Sequence, residues 1–218
     1  MPSIDEIKQL EAISRKLDLE GDERNNLFEQ VNDYATQYLD SIETAPAYSH
    51  PSENNQFEVA ATIDSKGISI EQVLNHLAKD VDSVGINPTS GRFIGYIPGG
   101  AIPHAASGDF LAAIANRFAG VYHASPGAVT IENSLLNWMG DILDYPETAS
   151  GYLSSGGSIA NLTAIVTARD AHGIRGAEIP RSVVYLTEHV HHCIDKALHI
   201  AGLGHCIRRT IPVNKYYG

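Results

Sequence analysis

The sequence predicts an α/β fold with mostly parallel strands, preceded by a helical arm. Three observations carry this. Beyond residue 150, short apolar runs rich in β-branched residues alternate with helical patterns. A small-residue turn, Ser154-Ser155-Gly156-Gly157-Ser158, joins an extended Gly-Tyr-Leu to a helical stretch. The first 42 residues carry apolar side chains at helical spacing with no β-like alternation.

In chain order, Ile4, Ile7, Leu10, Ile13 and Leu17 place one apolar stripe on a helix over 4–19. Gly21 and Asp22 read as a stop and a new cap. A second helix follows to about Ile42, with Leu27, Val31, Tyr34 and Tyr38 on one face. Two striped helices of this kind must bury their faces against something else. Residues 44–56, rich in Pro, Ser, Asn and His, read as a loop. Ser69-Ile70-Glu71-Gln72 has the form of a capping box and opens a helix to about Val81. The turn cluster Asn87-Pro88-Thr89-Ser90-Gly91 suggests a boundary near 86, giving an arm over 1–85 and a larger domain over 86–218. Helices are expected over 103–121, 126–143, 158–172 and 191–201. Strands are expected over 151–154, 182–187 and 206–213. Ser125 and Pro126 suit the cap and first position of their helix.

Composition narrows the function. A net charge of −11 and a pI near 5.2 oppose nucleic-acid binding, and Arg208-Arg209 is only a pair on an expected strand face. Neither a signal pattern nor a membrane-length apolar run is present, so the expected location is cytoplasmic. Two cysteines, Cys193 and Cys206, make no disulfide framework.

The turn at 154–158 suits an anion. Two glycines and a serine at a helix mouth leave backbone N–H groups bare where the helix dipole is positive. Ser158 either caps the helix or donates its hydroxyl to a phosphate oxygen. An ordinary strand-to-helix turn fits the same five residues. No Gly-Lys-Ser/Thr or G-x-G-x-x-G accompanies them, which removes the Walker A and dinucleotide readings, and the missing G-x-S-x-G weakens an α/β-hydrolase reading. The cluster His189, His191, His192 and Cys193 invites a zinc reading. Adjacent side chains at a helix start diverge, so no metal is expected. Glu132 and Asp141 read as a solvated face or a contact between subunits.

Four blocks in order carry a family resemblance. These are Gly91-Arg92-Phe93-Ile94-Gly95-Tyr96-Ile97-Pro98, then Ser125 to Asn133 with Trp138-Met139. Ser154 to Arg169 and His191-His192-Cys193-Ile194-Asp195-Lys196-Ala197 complete the set. Over roughly 86–205 the chain resembles the group II pyridoxal-phosphate-dependent amino acid decarboxylases, which include the aromatic amino acid and glutamate decarboxylases.

The resemblance implies the N-terminal half of a fold-type-I large domain, with helices on both faces of the sheet. It implies a lyase that converts an L-amino acid to an amine and CO₂, with pyridoxal 5'-phosphate as cofactor. Ser155, Gly156, Gly157 and Ser158 would hold the phosphate, and His191 would stack on the cofactor ring. His189 or His192 takes that role if the alignment slips. Tyr96 and Pro98 would border the substrate, although Gly99-Gly100 and Ser90-Gly91 depart from better-known members there.

The family's cofactor lysine sits downstream in a His-Lys pair. The lysines of this chain are Lys8, Lys16, Lys66, Lys79, Lys196 and Lys215, and none follows a histidine. The expectation is therefore the N-terminal part of a longer enzyme: a fragment, a nicked chain or a truncated product. The family pattern also implies a homodimer clasped by the N-terminal helices, or a second polypeptide carrying the remainder. Two alternatives are a sphingosine-phosphate-lyase-like enzyme of the same fold and a non-catalytic binding partner.

Overall fold

The computed structural model describes residues 2–51 and 67–215, so the later part of the expected 44–56 loop lies outside the described residues. The chain divides into two compact units, Met1–Ala115 and Asn116–Gly218. Residue 86 lies inside the first.

In the first unit, α1 spans Ile4–Ser14. Its start is a capping box the sequence reading did not single out. The Glu6 carboxylate accepts from the Ser3 amide at 2.6 Å, and Ser3 Oγ accepts from the Glu6 amide at 3.2 Å. A 3₁₀ turn, Arg15–Leu17, ends it. Helix α2 runs Gly21–Ser41, with Asp22 and Glu23 in the first turn, where the helix dipole favours negative charge. Strands β1 (Tyr48–Ser49) and β2 (Gly85–Ile86) form a short antiparallel pair.

Helix α3, Ile70–His76, opens on the expected Ser69–Gln72 capping box. It continues as a π-helical turn, Leu77–Asp82, rather than as α-helix to 81. The Tyr34 hydroxyl donates to Asp82 at the end of this turn. Helix α4, Pro103–Ala115, stops short of the expected 121. Asn116 takes a positive φ of 44°, a conformation asparagine tolerates and helices end on.

In the second unit, α5 spans Pro126–Ile142 with proline at its first turn. Helix α6 spans Gly157–Ala171, β3 Val183–Leu186, α7 Cys193–Ile200 and β4 Ile207–Thr210. β3 and β4 pair in parallel, with α7 as the crossover between them. Arg208 and Arg209 lie on exposed β4 as expected. The core gathers Leu198, Ala201, Leu203 and Cys206. Leu162, Ile165 and Val166 of α6 pack on it, as do Val184 and Leu186 of β3. Their i, i+3, i+4 and period-two spacings put each set on one face.

Among the described residues these helices line one face of the pair. Val183 and Tyr185, on the other, are exposed. The expected strand over 151–154 does not form: among the described residues it has no ladder partner.

Two hydrogen bonds hold α6 beside α7. Asn161 Nδ2 approaches Cys193 Sγ at 3.5 Å, and an Arg169 guanidinium nitrogen donates to the Ala201 carbonyl at 2.7 Å. Both pairs are 32 residues apart, so the helices run parallel and in register. Helix α7 ends in a Schellman motif: Gly202, at φ 75°, and Leu203 donate back to His199 and Leu198.

Candidate functional site

Parallel helices present both N-termini at one end. The chain enters α6 through the 154–158 turn and α7 through the 187–192 turn, which follows the carboxyl end of β3. In α/β layers ligands bind beyond the carboxyl ends of strands.

The α6 turn depends on Gly156. It serves as N-cap at φ 141° and ψ 168°, a region closed to side chains. Its carbonyl accepts from Ile159 and Ala160, both at 3.1 Å, and Ser154 Oγ donates to the same oxygen at 3.1 Å. The amides of Gly157 and Ser158 precede the first intrahelical donor and face outward from the helix head. Ser158 occupies the second helical position. No side-chain cap bond is made at this helix start. A Cβ added at Gly156 or Gly157 would meet no atom within 4 Å, so space lies open over the turn. Ser155 lies exposed in the same turn.

Neighbouring elements steady this turn. The Leu153 amide donates to Glu132 Oε1 of α5 at 3.4 Å, and the Tyr152 hydroxyl shares a hydrogen bond with Thr163 Oγ1. Glu132 is thus a support for the chain leading into the turn, not simply a solvated carboxylate.

His191 precedes α7, which begins at Cys193 rather than at 191. Its Nδ1 accepts the Cys193 amide at 3.2 Å. That bond satisfies one orphan donor of α7, fixes the ring, and puts the proton of the neutral imidazole on Nε2. The His192 ring lies 4.1 Å away at 35°. His189 turns instead toward Glu188, 3.5 Å between side-chain atoms. Among the described residues no three His, Cys, Asp or Glu side chains gather as a metal site.

Asn161 joins the two turns. Its Nδ2 donates to the Gly157 carbonyl at 2.9 Å as well as approaching Cys193 Sγ. A continuous path therefore links Gly157, Asn161, Cys193 and His191. Sequence reasoning missed Asn161. Its signal was an asparagine, a poor helix former, four residues after a glycine inside a helical stretch.

Tyr96 and Pro98 belong to the first unit. Tyr96 is 83% exposed with φ 57°, and its ring sits 6.0 Å from that of Phe93. It is no part of a core. Ile94 and Ile97 beside it are almost fully exposed.

The pyridoxal-dependent decarboxylase conserved domain matches residues 51–217 of the chain. An aromatic-L-amino-acid decarboxylase of Bacillus atrophaeus is 29% identical over 194 residues, covering 88% of this chain and 40% of that protein. A tyrosine decarboxylase of Oryza sativa subsp. japonica is 30% identical over 209 residues, covering 89% and 38%. The crystal structure of Oryza sativa TDC with PLP and tryptamine superposes with a TM-score of 0.78 at 24% identity, over 92% of this chain and 44% of that one. That likeness shows the fold, which is the fold type I that the resemblance implies. The chain spans about two fifths of the length of the curated relatives it matches.

Proposed function

The chain belongs to the pyridoxal-dependent decarboxylase family, and from that premise we propose that it supplies the phosphate-binding and ring-stacking part of an amino acid decarboxylase. The reaction replaces the α-carboxylate of an L-amino acid with a proton and releases CO₂ and an amine. Relatives named for aromatic amino acids, tryptophan and tyrosine favour an aromatic substrate.

One observation carries this reading: the glycine turn of α6 and the histidine turn of α7 open at one end of two parallel, register-locked helices. The residues present fit pyridoxal 5'-phosphate. Open space over Gly157, two bare amides and an unspent Ser158 hydroxyl suit a phosphate dianion, with Ser155 and Gly156 completing the turn. The cofactor, when bound, supplies an electron sink for the carbon that loses CO₂. His191 offers its imidazole face to the ring and holds a proton at Nε2, its Nδ1 being engaged by Cys193. On the resemblance alone Tyr96 and Pro98 are candidates for bordering the substrate, and the Tyr96 ring is exposed.

The reading extends to a homodimer. The exposed stripe of α1, with Ile4 72% and Leu10 62% exposed, supports a contact of the N-terminal helices with a second copy. A second polypeptide of another sequence would be accommodated by the same stripe. Two free, buried thiols, Cys193 and Cys206, support a reducing, cytoplasmic location.

The test is product analysis. The intact protein carrying this chain, loaded with pyridoxal phosphate and given L-tryptophan or L-tyrosine, is expected to yield amine and CO₂ in equal amounts. Cleavage of phosphorylated amino alcohols without CO₂ release contradicts the reading.

A further inference from the structure

The register of α6 and α7 is held at both ends, and the two ties differ in kind. At the far end Arg169 reaches the last turn of α7 through the Ala201 carbonyl. At the ligand end Asn161 joins the two turns that carry the candidate site. A carbonyl oxygen only accepts, so the Asn161 amide nitrogen must face Gly157. The same nitrogen then has its second hydrogen for Cys193 Sγ. The Cys193 amide in turn holds His191 Nδ1. Cys193 is buried and Asn161 half-buried, so water competes weakly for these bonds.

We propose that Asn161 is a positioning residue: its carboxamide locks the heads of α6 and α7 together and so sets the separation between the phosphate turn and the His191 ring. The inference rests on the pyridoxal phosphate reading of that site. A phosphate and a ring belonging to one rigid cofactor fix a required spacing between the groups that hold them. A misplacement of about 1 Å is enough to lose binding or reactivity. Arg169 sets the same register some eight residues away, about 12 Å along the helix at 1.5 Å per residue, and so serves as a structural control.

The experiment uses the intact cofactor-loaded protein. It measures pyridoxal phosphate affinity by absorbance titration, the circular dichroism induced in the bound cofactor band, and the melting temperature of the cofactor-free protein. Asn161→Ala removes both bonds of the amide nitrogen, uncouples the two turns, and is expected to weaken cofactor binding about threefold to tenfold and to diminish the induced signal. Cys193→Ala should act alike, Cys193→Ser should restore both readouts, and the Asn161→Ala, Cys193→Ala pair should cost no more than either alone. Arg169→Ala should lower the melting temperature while leaving affinity and induced signal in place.

The inference is overturned if Asn161→Ala behaves as Arg169→Ala does, losing only melting temperature. Where Asn161→Ala fails to fold, Cys193→Ala against Cys193→Ser carries the same decision. Gly157→Val separates this failure from that of the underlying reading. Affinity lost at Gly157→Val but kept at Asn161→Ala and Cys193→Ala overturns the positioning role alone. Affinity kept at Gly157→Val overturns the phosphate turn and the positioning role with it.

Discussion

Gly157 and Ser158 are neighbours in one helical turn, yet substitutions there should act differently. A side chain at Gly157 projects into open space, so Gly157→Val is expected to leave the fold intact while filling the anion's place. Ser158→Ala removes one hydrogen bond to a charged group, worth about 1.5–3 kcal/mol, or roughly tenfold to a hundredfold in cofactor affinity. Because Ser158 makes no cap bond, its melting temperature should stay near that of the parent. His191 has a structural role that must be separated from its chemical one. His191→Ala should destabilise α7 by about 1 kcal/mol, as cap removals do. His191→Asn can still accept the Cys193 amide through an Asx-type bond. It should therefore melt like the parent yet lose the induced dichroism of the cofactor, and a retained signal would count against stacking. The turns that open α6 and α7 were legible in the sequence because glycine and polar turn residues mark them. Asn161 was not, since its role exists only where two helices 32 residues apart in sequence meet.

At the scale of elements, periodicity located the helices well and their ends less well. The Ser69–Gln72 capping box was read directly, because all its bonds are local. The end of α4 at Asn116 and the π turn at Leu77–Asp82 are set by backbone conformations that apolar spacing does not encode. The strand expected over 151–154 fails for a different reason: a strand is a pairing, and apolar residues do not supply the partner.

The π turn also yields a pH prediction. Burial, then the hydrogen bond from its hydroxyl to Asp82, raises the Tyr34 phenol above its ordinary value of 10.0. The folded state thus holds this proton more tightly than the unfolded chain. The contribution is complete below about pH 10 and is lost as pH climbs above it, where the unfolded phenol ionises first. Denaturant midpoints of the parent should fall through this range, and Tyr34→Phe should flatten the slope. An equal slope in both proteins would remove Tyr34 as its cause.

For the molecule as a whole, the exposed stripe of α1 is the feature the first unit leaves unexplained by itself. If it covers a second copy, Ile7→Glu with Leu10→Glu should convert a dimer to a monomer in sedimentation velocity while the α1 capping box keeps the helix formed. A parent protein that sediments as a monomer would contradict the proposed dimer. The central claim is that the head of α6 binds the cofactor's phosphate. It is tested most directly by titrating parent and Gly157→Val proteins with pyridoxal phosphate and with pyridoxal, which lacks the phosphate. The parent should prefer the phosphorylated form strongly, and Gly157→Val should lose that preference while remaining folded. An undiminished preference in folded Gly157→Val would place the phosphate elsewhere.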